Sequence, residues 1–211
     1  EGWSVLKFND GRAGWNGPLY SPLLRGWIAL AGDSIFAMRA LSVFWGVLIL
    51  PLLVVLAHRV SGRRRVGRIA GLLVLVSPVF IWYAQEIKMY SWVPMLVLLA
   101  LYALDRACAT ADSLWWGVTW VSTTTAFYSH ILAALLIPVL VFWFFLHPSR
   151  HRRAWIGGIV VILGLTLPYL PLFAWQGRLA FQTRETGFPD RALPEMVAEL
   201  VRQWGWGITQ G

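Results

Sequence analysis

Between Ala40 and Ala57 the chain runs without a charged residue, and the wider stretch 35–57 carries only Arg39. A helix needs roughly 20 apolar residues to cross the hydrocarbon of a bilayer, so this one stretch already suffices. Five more apolar stretches follow, at about 66–84, 89–104, 114–128, 131–147 and 154–175. Composition agrees: 58% of the residues are hydrophobic and 13% charged, where a soluble domain carries about a quarter charged. The 14 Trp residues fit a protein whose aromatic rings sit where hydrocarbon meets headgroups. The expected fold class is all-α, a polytopic membrane helix bundle of about six transmembrane helices in this chain, with interfacial helices on one face.

The third and fourth stretches are short, and Ser122, Thr123, Thr124 and Thr125 make the fourth polar. Hydroxyls within a span can bond the backbone of their own helix or a neighbour, which suits a bundle interior. Pro51, Pro78, Pro94, Pro138 and Pro168 fall within or at the edges of spans. Neighbouring helices re-satisfy the carbonyls that proline frees, so kinked spans are expected.

The net charge of +8 does not read as a nucleic-acid surface. The basic residues concentrate in two clusters between apolar runs, 59–68 and 150–153, with no folded basic face and stacking aromatics. They act instead as topology signals. The turn after the first span holds Arg59, Arg63, Arg64, Arg65 and Arg68, the third is followed by Arg106, and the fifth by Arg150, Arg152 and Arg153. The alternate turns, Gln85–Lys88 and Tyr128–His130, are nearly free of such charge. Basic loops stay on the cytoplasmic side, so these alternate turns and both ends of the chain face outward. The organisation is thus an outer loop with an interfacial helix over 1–34, a transmembrane bundle over 35–175, and an outer segment over 176–211.

Four outward pieces carry chemistry. The first holds Glu1, Asn16 and Gly17-Pro18-Leu19-Tyr20, followed by the short apolar stretch Leu23–Ala31 with Trp27 as a belt residue. The second is Trp82-Tyr83-Ala84-Gln85-Glu86-Ile87-Lys88-Met89-Tyr90, which places a carboxylate, an amine, an amide and phenols in almost no loop. A bare turn would more usually contain Gly, Asn or Asp, whereas a solvated Glu86–Lys88 pair would contribute little. The third is Tyr128-Ser129-His130. In the fourth, Leu193, Met196, Val197, Leu200, Val201 and Trp204 recur at helical spacing, an amphipathic helix for the membrane surface or an outer domain. Ionisable groups near membrane depth are costly and invite a functional reading.

The chain contains no Gly-rich phosphate loop, paired-His zinc motif or Gly-x-Ser-x-Gly elbow. Cys108 is the single cysteine, which excludes a disulfide within the chain and gives no sign of a Cys-based metal site. No cofactor is identified and no metal site is assigned. A divalent metal is left open, since Glu1, Glu86 and His130 would form a ligand set only if they converge.

Several of these stretches resemble the polytopic C-type glycosyltransferases of the protein O-mannosyltransferase and aminoarabinose-transferase kind, especially family-39-like members. Glu1-Gly2-Trp3-Ser4 looks like the end of that family's Asp-Glu motif, and Gly17-Pro18-Leu19-Tyr20 resembles its His-Pro-Pro-Leu-Tyr element. Phe36-Ala37-Met38-Arg39-Ala40-Leu41-Ser42 is similar to the start of its second membrane helix, and Tyr128-Ser129-His130 to its Tyr-Thr-His turn. Ser77-Pro78 through Gln85-Glu86-Ile87-Lys88-Met89-Tyr90 is the most specific block, matching in order, spacing and span context. The likeness covers about 1–147. Lys88 stands where Arg is commoner, keeping the charge without the bidentate fork. Asn16-Gly17-Pro18 takes the place of His-Pro-Pro, and the family's leading Asp would precede Glu1.

The resemblance implies an integral membrane glycosyltransferase that moves a hexose or pentose from a polyprenyl-phosphate donor to a protein, lipid or glycan acceptor. It also implies a bacterial inner (plasma) membrane protein with its site on the periplasmic or extracellular face, represented here by an inactive fragment lacking the first helix and the C-terminal part. Glu1, Glu86 and His130 are then the candidate catalytic residues. Lys88, Tyr90, Tyr20, Gln85 and Asn16 are candidates for substrate binding. Two other classes stay open: a transporter or flippase, which would place its charges near the bilayer midplane, and a non-catalytic membrane assembly subunit.

Overall fold

A computed structural model describes residues 17–110, 112–146 and 155–164, together with isolated positions between 167 and 202. Every element among the described residues is helical. Helix α1 is Tyr20–Ala31, α2 Ile35–Ser61, α3 Arg64–Leu75, α4 Pro78–Ala84, α5 Trp92–Thr110 and α6 Ser113–Ser129. A 3-10 turn, Ile131–Leu135, leads into α7, Leu136–Leu146, and α8 is Trp155–Gly164.

Helix α2 starts where the Ser34 hydroxyl accepts the Ala37 amide at 3.1 Å, and Trp27 of α1 donates to the Ala37 carbonyl at 2.7 Å. It ends at Gly62, whose φ of +67° a residue with a side chain adopts only reluctantly. Helices α2 and α5 are long and apolar enough to cross a membrane. The α3–α4 pair makes a third such span if its two parts are taken together, bent by 66°. The bend falls inside the stretch 66–84. There Ser77 caps a new helix by accepting the Phe80 amide, and Pro78 sits at its first turn. Proline has no amide to continue the preceding ladder, so α3 stops at Leu75.

Helices α2–α3 and α5–α6 form hairpins, and α2 packs on α5 between them. The first hairpin is closed by small residues. A Cβ added to Gly67 would lie 2.4 Å from the Val54 carbonyl oxygen, and one at Gly71 would lie 2.6 Å from Val54 Cγ2. This Gly-x-x-x-Gly spacing lets two helices approach backbone to backbone. The second hairpin buries Thr119, Ser122 and Thr123. The Thr119 and Thr123 hydroxyls donate to carbonyls one turn back, at 2.9 and 2.8 Å, so their polarity is met within the helix.

Two apolar clusters result. One joins α5, α6 and α7 through Ala100, Leu104, Trp116, Leu140 and Phe144, and Val161 of α8 completes it. The other joins Ile49 of α2, Met95 and Leu96 of α5, Ala126 of α6 and Ala133. Large apolar side chains such as Phe44, Val47, Ile69, Leu72, Leu73, Phe142 and Phe145 are exposed, as lipid-facing surfaces require. The chain is an all-α membrane helix bundle. Of the expected sixth span, the structure describes chiefly Trp155–Gly164. Of the expected amphipathic helix, Pro194, Glu195, Val197, Ala198, Val201 and Arg202 are helical.

At one end of the bundle Arg59 of α2 and Asp105 of α5 form a hydrogen-bonded ion pair. The α4–α5 linker, the α6–α7 junction and the start of α1 meet at the opposite end.

Candidate active site

The linker after α4 is held at both margins. The Gln85 amide bonds the Trp82 carbonyl at 3.1 Å, and the Ser91 hydroxyl donates to the Tyr83 carbonyl at 3.3 Å. Met89 is buried and pins the middle of the linker. Trp92, at the start of α5, packs at a tilt against Trp45 with ring centroids 4.4 Å apart. Its indole N–H donates to the Ser129 hydroxyl at 2.9 Å, and that hydroxyl donates to the Thr125 carbonyl at 2.7 Å. This relay ties the linker to the end of α6 and brings His130 beside it.

The start of α1 closes on the same junction. The Gly17 amide bonds the Ser129 carbonyl at 2.9 Å and the Leu19 amide the Tyr128 carbonyl at 3.0 Å. A Cβ at Gly17 would lie 2.0 Å from the Tyr128 carbonyl oxygen, so only glycine lets the strands of chain meet.

Between these pieces and the α3–α4 bend lies a cavity of about 520 Å³. Its apolar walls are Val74, Val79, Phe80, Val93, Pro94 and Leu132, and its polar groups come from Ser77, Tyr83, Tyr90 and His130. Tyr90 meets Tyr83 edge to face at 4.8 Å. The Lys88 ammonium lies 5.5 Å from the centroid of the Tyr90 ring, a cation over an aromatic face with no ion-pair partner among the described residues.

His130 caps the 3-10 turn: its Nδ1 accepts the Leu132 amide at 3.2 Å. That bond requires the Nδ1 lone pair, so the neutral ring carries its proton on Nε2 and offers it as a donor. Burial lowers the imidazole pKa below its ordinary 6.5, favouring this neutral form.

The sequence candidates therefore separate. Tyr90 and His130 share the cavity, with Lys88 alongside. Glu86 is half-buried on the same linker, and no ion pair joins it to Lys88. Gln85 is exposed and its side-chain amide turns back to the Ile81 carbonyl at 3.1 Å. Tyr20 is buried away from the cavity, its hydroxyl facing that of Ser42 without closing a well-formed hydrogen bond. Burial raises its phenol pKa, and Ser42 partly offsets this. Glu1 and Asn16 lie outside the described residues. Among the described residues, no three His, Cys, Asp or Glu side chains converge as metal ligands.

Ser77 and Tyr83 enter the cavity although neither was a candidate. Ser77 is signalled by Ser77-Pro78, a helix start set inside an apolar run, and Tyr83 by its place in the outward piece 82–90.

Residues 16–175 match the family described as dolichyl-phosphate-mannose-protein mannosyltransferase. The chain belongs to this family. The matched range takes in Asn16, Tyr20, Gln85, Glu86, Lys88, Tyr90 and His130, and it begins after Glu1. This mannosyltransferase-family chain is thus an integral membrane glycosyltransferase. No curated protein and no solved structure matches it.

Proposed function

We propose that the protein transfers a sugar, mannose in the first instance, from a polyprenyl-phosphate donor to an acceptor hydroxyl on a protein. One observation carries this reading: an apolar cavity whose polar groups are a serine, two phenols and a histidine, with a lysine beside it. Such a site suits an isoprenoid phosphate, since the walls accommodate hydrocarbon and the cation and donors meet the phosphate.

In this reading the acceptor oxygen forms a bond to the anomeric carbon as the bond from that carbon to the phosphate oxygen breaks. A carboxylate takes the hydroxyl proton: the Asp that the family places before Glu1 is the leading base, with Glu1 assisting or positioning the acceptor and Glu86 orienting Lys88 or holding sugar hydroxyls. The departing polyprenyl phosphate keeps the electron pair, and Lys88 with the Nε2–H of His130 stabilises its charge. Tyr90 positions Lys88 and bonds phosphate or sugar, Tyr20 and Asn16 support the acceptor loop, and Gln85 holds the linker. The alternation of basic and non-basic turns supports six spans and an outward-facing cavity, and the family resemblance implies a bacterial inner membrane with the periplasm outside.

The test is transfer of labelled mannose from polyprenyl phosphate to an acceptor peptide by the intact protein in membranes. Lys88→Ala should lower the rate by about 10²–10³-fold, the usual cost of removing a stabilising donor, while Lys88→Arg retains most activity. Unchanged transfer by Lys88→Ala would sink the phosphate role. Movement of donor across vesicles without transfer would replace the enzyme by a flippase.

A further inference from the structure

The end of the bundle opposite the cavity carries charge that no carboxylate among the described residues neutralises. No Asp or Glu occurs between Asp33 and Glu86. Asp105 is engaged by Arg59, and Asp112 caps the Leu114 amide at 2.9 Å. Arg63, Arg64, Arg65 and Arg68 are all exposed, and their guanidinium groups have no hydrogen-bond or ion-pair partner among the described residues. The first turn of α3 holds no acidic residue and receives no side-chain cap.

The pattern along α3 separates lipid from other polyanions. Arg65, Arg68, Ile69 and Leu72 follow at i, i+3, i+4 and i+7, one face of the helix. Ile69 is 56% and Leu72 59% exposed, so the face is not filled by protein among the described residues. Side chains on a helix tilt toward its N-terminus. The guanidinium groups therefore reach back to the headgroup layer, and the aliphatic side chains stand about 10 Å along the axis at most, at 1.5 Å per residue. Charge at one level and hydrocarbon contact at the next is the profile of a phospholipid. A soluble phosphate or a nucleic acid would use only the first.

We propose that the α2–α3 turn and the first three turns of α3 bind an anionic phospholipid. Arg65 and Arg68, supported by Arg63 and Arg64, hold the phosphodiester headgroup, and Ile69 and Leu72 line its acyl chain. The site does not depend on the sugar-transfer reading, and its test does not use transfer.

The intact protein is reconstituted in nanodiscs of mixed phosphatidylglycerol and phosphatidylcholine, released, and its retained lipid measured by native mass spectrometry. Wild type should retain phosphatidylglycerol in excess of its mixing ratio, and the excess should shrink at high salt. Arg65→Gln/Arg68→Gln should reduce the preference roughly thirtyfold, from the contribution of each cation near an anionic surface. Arg65→Lys/Arg68→Lys should reduce it only a few-fold. Both replaced side chains are exposed, so the thermal midpoint in neutral detergent should stay that of wild type, and the salt titration needs no variant. Retention at the mixing ratio, or a preference that survives in the glutamine variant, overturns the proposal. So does displacement of the lipid by soluble glycerol phosphate, which would make the site a phosphate site alone.

Discussion

At His130 one lone pair serves the fold and sets the chemistry. Nδ1 accepts the Leu132 amide, so protonation there removes a cap as well as charging a half-buried ring. Burial lowers the folded-state pKa below 6.5. As pH falls, the unfolded chain therefore takes up its proton before the folded one. The contribution of His130 to stability is full above the unfolded value and is lost progressively as pH drops below it. The thermal midpoint in detergent should decline below about pH 6.5, and His130→Asn, which can cap without titrating there, should flatten that decline. An unchanged slope in the variant would remove this role. The neighbouring linker shows how far residues alone could be read. Glu86 and Lys88 stand two apart, a spacing that allows an ion pair, yet the ammonium lies over Tyr90. Exposed pairs differ by so little energy that local packing chooses between them.

Among the elements, the α3–α4 break has the largest consequence for the site. Hydropathy alone joins 66–84 into one span, because an apolar run looks the same whether straight or bent. Ser77-Pro78 supplies the local cause, a cap and a missing amide. The bend of 66° is set by what the two parts pack against. Val74 and Phe80 thereby face the same cavity from either side of the break. The α2–α3 hairpin depends on a different local feature. At Gly67 an added Cβ would lie 2.4 Å from the Val54 carbonyl oxygen, which is backbone and cannot rotate away. Gly67→Ala should force the helices apart and cost about 1–3 kcal/mol, as overpacking does. Thermal unfolding in detergent measures it. Gly117→Ala is the control, because nothing among the described residues lies within 4 Å of a Cβ at that position, and it should leave the midpoint close to wild type.

Across the whole molecule, the Arg59–Asp105 pair and the α2–α3 turn mark one end, and Tyr90 with His130 the other. In a membrane-spanning bundle these ends face opposite compartments. Single cysteines at positions 64 and 86, introduced after Cys108→Ala, should react with an impermeant thiol reagent from opposite sides of sealed vesicles. Labelling of both from the same side would refute the alternating topology.

What the sequence by itself determined is the class of molecule: apolar runs of spanning length, turns of alternating charge and the Gln85–Tyr90 block are all local or periodic features. Burial of backbone polar groups in lipid leaves helices as the form such runs take. What only the tertiary structure decided is which polar groups share a space. The Trp92–Ser129–Thr125 relay joins positions 37 and 4 residues apart, and no spacing rule links a tryptophan to a serine in another helix. It brings Tyr90 and His130 to one cavity while Tyr20 turns toward Ser42. Such contacts depend on how helix faces pack, and packing is resolved by the shapes of side chains distant in the chain.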